Sequence, residues 1–127
     1  MTHQNLKMDK EKFKKEFIGR LIRYSIWLVK FCDKLKEEKI SFCLINQLIS
    51  AGTSMGANVV EAKSAHSKKD YVKFFEIALK SANETKYWLL VIKETTNNKK
   101  ENEDILRETI EIANILASSV LTLKGKR

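Results

Sequence analysis

Few side chains in this sequence have the type and spacing that chemistry at a reacting centre demands. The best acid/base couple is Glu61 with Glu84, two carboxylates that interrupt apolar stripes on successive helical segments. General acid–base work needs both groups within reach of one substrate atom. Counting along the helices sets them several turns apart, so a structural role is expected for both. His3 and His66 stand unpaired, and no HExxH, P-loop, nucleophile elbow or paired-cysteine metal spacing occurs. His66, beside Ser67, reads as a loop residue. Cys32 and Cys43 are too few for a disulfide framework and read as small buried hydrophobes in a reducing cytosol. No catalytic residue, metal site or cofactor is expected.

Cationic chemistry remains. Lys and Arg number 24 against 16 Asp and Glu, a formal charge of +8. Such an excess suits a phosphate backbone or an anionic membrane without choosing a fold. With 43% hydrophobic residues the chain is not disordered, and with no proline and 4 glycines it makes a poor β-sandwich. Its 127 residues fit one domain, 1–127. The first residues lack the layout of a signal peptide, and a cytoplasmic location is expected.

The elements that must position these charges follow from apolar periodicity. Phe13, Phe17, Leu21, Tyr24, Leu28, Phe31 and Leu35 recur at steps of four and three. Similar rhythms predict helices over about 9–36, 41–64, 67–95 and 101–124. Ser41 and Ser67 stand where N-caps belong, the second backed by Asp70, and Asn98 or Asn102 can cap the fourth helix. Short connections favour an all-α, up-down-up-down antiparallel four-helix bundle.

The second helix has no charge from Ile40 to Val60. Its Asn, Gln, Ser and Thr residues argue against a membrane span. Gly52 and Gly56 form a small-xxx-small pair that lets two backbones, of one chain or of two, approach closely. Two neighbouring stripes, Leu44-Leu48-Ala51-Met55 and Ile45-Ile49-Gly52-Gly56-Val59, are apolar or small. One bundle is expected to cover one stripe and part of the other, leaving the rest to a second subunit. A homo-oligomer is expected.

In this topology residues 7–16, 61–73 and 124–127 share one end. That end gathers Lys7, Lys10, Lys12, Lys14, Lys15, Lys63, Lys68, Lys69, Lys73, Lys124, Lys126 and Arg127 against five carboxylates. The opposite end, 33–39 and 93–108, is nearly balanced. Poles set side by side in an oligomer make a cationic face that attracts phosphate without reading sequence. The patch shows no interleaved aromatics for stacking bases, and no standard nucleic-acid motif. A polar thread of Gln47, Ser54, Asn58, Glu61, Ser81 and Glu84 is expected inside the bundle, with Arg20 paired to Glu61 and steadied by Asn58.

The run Gln47-Leu48-Ile49-Ser50-Ala51-Gly52-Thr53-Ser54-Met55-Gly56-Ala57-Asn58-Val59-Val60-Glu61-Ala62 resembles the signature of the bacterial four helix bundle, or ribosomal-RNA intervening-sequence, protein family. The likeness continues through Ser67-Lys68-Lys69-Asp70-Tyr71, Phe74, Ala78, Leu79, Lys80, Ser81, Glu84 and Thr85, covering roughly residues 12–123. It implies an up-and-down bundle assembled as a ring-like homopentamer, associated with genes inserted in large ribosomal RNA. It implies no enzymatic activity. A basic pentameric relative, the accessory variability determinant of diversity-generating retroelements, binds a reverse transcriptase and nucleic acid. Ser50 stands where many members have arginine. Ala62 replaces a usual glycine, so the second helix is expected to run on toward Ala65. The expected function is an oligomeric module that binds RNA or DNA through the basic pole. The alternative is a protein-interaction scaffold, or an accessory subunit of a nucleic-acid enzyme such as a reverse transcriptase.

Overall fold

The computed structural model describes residues 2–125. Among them, four helices follow one another: α1 (His3–Glu37), α2 (Phe42–Ala62), α3 (Lys68–Lys93) and α4 (Lys99–Leu123). Each packs on its neighbour in sequence, and α4 returns to α1, while the backbones of diagonal pairs stay apart. Neighbours are antiparallel. Lys14 of α1 lies over the Tyr71 ring at the start of α3, while Glu38 after α1 meets Thr96, Asn97 and Asn98 before α4.

Helix ends depart from the periodicity for local reasons. The first helix begins six residues early because the Thr2 hydroxyl accepts the Asn5 N–H at 3.1 Å. At 35 residues it is about 50 Å long against about 30 Å for the 21-residue α2, so its first turns run past the core. It closes in a Schellman turn, Ile40 N–H to Leu35 O and Lys39 N–H to Lys36 O. Lys39 takes the left-handed position at φ 62°, where glycine is the usual choice. The second helix stops at Ala62 with Lys63 as its C-cap, not near Ala65. Lys63, Ser64 and Ala65 each donate to the carbonyl three residues back, a tightening that ends the helix even with alanine at 62. Ser67 caps α3 as the sequence suggests, accepting from Asp70 N–H at 3.1 Å. Ser41 and Asn98 occupy cap positions without making a side-chain cap bond, and Asn98 instead donates to Glu38 at 3.0 Å.

Leu21, Leu28, Phe31, Ile45, Leu48, Met55, Leu89, Ile92, Ile105, Ile112 and Leu116 are all buried in one core. Burying each such side chain stabilises the fold by about 1.5–3 kcal/mol. The core takes both apolar stripes of α2: Ile45, Leu48, Ala51, Gly52, Met55 and Val59 are buried, and Leu44, Ile49 and Gly56 half-buried. The chain thus covers most of the stripe expected to await a second subunit and leaves Ile49 and Gly56 half-buried. Cys32 is buried, its thiol pushed up to about 11 by desolvation, whereas Cys43 is exposed at the start of α2 rather than buried.

The seams on either side of α1 differ in kind. Toward α2 the helices close up: a Cβ on Gly52 would meet Leu28 Cδ2 at 2.1 Å, and one on Gly56 would lie 3.9 Å from the Leu21 carbonyl oxygen. Toward α4 long polar side chains span the gap. Arg20 donates to Glu108 at 2.8 and 2.6 Å and to Glu111 at 2.5 Å. Tyr24 and Thr109 share a buried hydrogen bond of 2.6 Å. Trp27 and Lys34 both donate to Glu101, at 2.9 and 2.7 Å.

That seam makes stability depend on pH. The Arg20 hydrogen bonds hold the Glu108 carboxyl below the ordinary range. Burial opposes ionisation of Glu101, but its bonds from Lys34 and Trp27 outweigh it and lower that carboxyl too. Glu38 is lowered chiefly by the Thr96 hydroxyl. A carboxyl depressed on folding stabilises the native state fully above about pH 4.5, its ordinary value, and loses that contribution as pH falls through the lower folded values. Thermal midpoints are expected to be flat from pH 7 to 5 and to fall below 4.5, with Glu108→Gln flattening the descent. An equally steep descent in Glu108→Gln would remove this carboxylate from the account.

Candidate nucleic-acid interface

The basic pole forms where the N-terminal turns of α1, the α2–α3 connection and the last turn of α4 meet. The Ser67 cap fixes the start of α3 and sends Lys68, Lys69 and Lys73 out from its first turns, all exposed. Lys63 sits on the α2 C-cap across the same connection. On α1, Lys10, Lys12, Lys14 and Lys15 are exposed ahead of Phe17, the first residue that helix buries. Lys124, on the α4 C-cap, pairs with Glu76 at 2.8 Å. Lys12 approaches Glu16 only to 3.9 Å, both ends open to water, where such a pair contributes little. Lys126 and Arg127 lie outside the described residues.

Aromatic side chains stand among these lysines, contrary to the expectation from sequence. Phe13 stacks on Phe17 at 6.0 Å and Tyr71 on Phe75 at 5.1 Å. Lys14 Nζ sits 5.0 Å above the Tyr71 ring, an attraction of about 0.5–1 kcal/mol at an exposed site. Phe13, Lys14, Tyr71 and Phe75, together with Leu6, Lys10, Ser119 and Leu123, line a cleft of about 540 Å³. Phe13 and Tyr71 lie 58 residues apart on helices whose chain connection runs through a third. Helical spacing placed each on its own helix, and only the packing brings them together.

The polar thread forms in part. Asn58 donates to the Ser54 carbonyl at 2.8 Å and to its hydroxyl at 2.9 Å, and the Ser81 hydroxyl donates to Ser54 at 3.0 Å. Thr85 donates back to the Ser81 carbonyl at 2.7 Å. Arg20 is not a member and does not pair with Glu61. It shares the flank of α1 that carries Trp27 and Lys34, which faces α4, so Glu108 and Glu111 claim it. Glu61 is exposed on α2. Gln47 and Glu84 line a groove of about 800 Å³ beside Tyr87 and Trp88, whereas Glu61 lines grooves elsewhere. The two carboxylates thus open onto different surfaces. Asn102 is buried in the first turns of α4, and neither atom of its amide meets a partner among the described residues. Gly52 and Gly56 serve close packing of α2 on α1 within one chain.

Among the described residues, no helix is long and apolar enough to cross a membrane, and no cluster of three or more His, Cys, Asp or Glu could hold a metal ion. A family model described as 23S rRNA-intervening sequence protein matches residues 16–118. The fold is similar to a crystal structure of a protein of unknown function from the S23 ribosomal protein family of Bacteroides thetaiotaomicron. The two are 32% identical, with a TM-score of 0.77 over 82% of this chain and 97% of the other. No curated protein matches the chain.

Proposed function

This chain belongs to the 23S rRNA-intervening sequence protein family, and from that premise we propose that it is a non-enzymatic, oligomeric module that binds RNA or another nucleic acid through its basic pole. The observation that carries this reading is the crowding of exposed lysines at one end. Lys10, Lys12, Lys14, Lys15, Lys63, Lys68, Lys69 and Lys73 come from three helices to that end, and all are exposed. Neutralising phosphates with such residues releases counterions and needs no base contact.

Two surfaces support the oligomer. On the outer flank of α1, Ile22, Ile26 and Val29 are 53%, 51% and 41% exposed. Ile22 and Ile26 continue onto α2 through Ala57 and Val60 along a shared groove, with Glu61 at its lining. A different apolar surface surrounds Tyr87 and Leu90 of α3, 59% and 54% exposed, next to the 800 Å³ groove. Two unlike patches suit a head-to-tail contact, which closes into a ring when the rotation allows. Five subunits is the number the family resemblance implies.

The test is the salt dependence of binding to a short structured RNA. Affinity is expected to fall steeply from low to physiological salt. Lys68→Ala with Lys69→Ala should lower the log–log slope by about two, one for each phosphate that the variant leaves without its lysine. Binding indifferent to salt and to both lysines would sink the nucleic-acid reading and favour a protein-interaction scaffold.

A further inference from the structure

We propose that the cleft at the basic pole is a stacking slot for an unpaired nucleobase, so that the protein prefers single-stranded or looped nucleic acid over duplex. This rests on the nucleic-acid reading above and names its substrate class. Phe13 is 51% exposed and Tyr71 half-buried, so both rings present surface at the cleft. A duplex keeps its bases stacked on one another and offers these rings only sugar and phosphate. An unpaired base has a free π-face, and stacking it on an aromatic ring needs no particular sequence.

Charge complementarity selects this occupant over a purely apolar one. Lys10 and Lys14 line the same cleft as the rings, and Lys14 already holds its ammonium 5.0 Å from the Tyr71 centroid. A base inserted beside the rings would carry its phosphates past those two ammonium groups. Asp9, the carboxylate among the lining residues, disfavours phosphate inside the slot itself and leaves that space to the neutral base. At about 540 Å³ the cleft falls in the range of small-ligand sites. An apolar peptide segment would leave both lysines without counter-charge.

The experiment compares the intact protein's affinity for an unstructured 12-nucleotide RNA carrying 2-aminopurine and for a blunt duplex of equal phosphate number. Wild-type protein is expected to favour the single strand and to change the 2-aminopurine emission on binding. Phe13→Ala should weaken single-strand binding roughly ten-fold, the size of one base–aromatic stack, and leave duplex binding unchanged. Tyr71→Phe, which keeps a ring, should retain the preference. Equal affinity for both RNAs, untouched by Phe13→Ala, would overturn the slot while leaving the electrostatic reading intact. No binding to either RNA at any salt would overturn both. A Phe13→Ala variant that changes the solution mass would also overturn the slot, because it would identify the cleft as an interface between copies of the chain.

Discussion

Gly52→Val is expected to destabilise the fold by about 3 kcal/mol, the upper part of the range for overpacking a filled core. A Cβ at this position meets Leu28 Cδ2 at 2.1 Å and Leu28 Cγ at 3.5 Å, with Thr85 Cγ2 at 3.7 Å on the far side. Leu28 is fully buried, so either its side chain turns aside within a filled core or the α1 and α2 backbones part, and both cost packing. Better helix propensity than glycine returns at most about 1 kcal/mol. For a chain of this size the loss corresponds to a thermal midpoint roughly 10 °C lower at fixed protein concentration. Gly56→Ala supplies the contrast. Its Cβ meets Leu21 Cβ at 3.4 Å, an ordinary contact, so this variant should be neutral or slightly more stable. Equal behaviour of the two glycines would refute the packing account of the α1–α2 seam.

The second large effect concerns assembly. Ile26→Lys is expected to reduce the solution mass from an oligomer to the 14.7 kDa chain. Ile26 is 51% exposed and Ile22 53%, so a lysine here costs the isolated bundle little, and helical content should persist. In a ring it would bury one unpaired ammonium per interface, a penalty of several kcal/mol each time. Light scattering with circular dichroism separates the two consequences, and Ile26→Leu serves as the control. A wild-type chain already monomeric would remove the oligomer from the proposed function. An assembly unchanged by Ile26→Lys would move its interface elsewhere.

The α2 sequence announces a helix without charge as far as Val60, and close packing at Gly52 and Gly56 is legible from their spacing. Its lack of charge pointed to uncovered stripes on α2 itself. The core covers most of those stripes, and exposed apolar side chains stand also on other helices, Ile22 and Ile26 of α1 and Tyr87 and Leu90 of α3 among them. Helical spacing says which residues share a face but not how wide an arc the neighbours cover. Arg20 follows the same rule. Level counting puts it near Glu61, yet rotation about the α1 axis turns it toward α4, where Glu108 lies 88 residues away in sequence.

By itself the sequence determined four helices, their antiparallel order, the Ser67 cap and the gathering of lysines at one pole. All of these depend on interactions within a few residues or on connections too short to allow another course. Tertiary structure alone decided the partner of Arg20, the membership of the Ser54–Asn58–Ser81 thread and the meeting of Phe13 with Tyr71 among lysines. Each depends on the axial rotation and stagger of one helix against another. Those are set by how the whole core fills, and no local pattern encodes them.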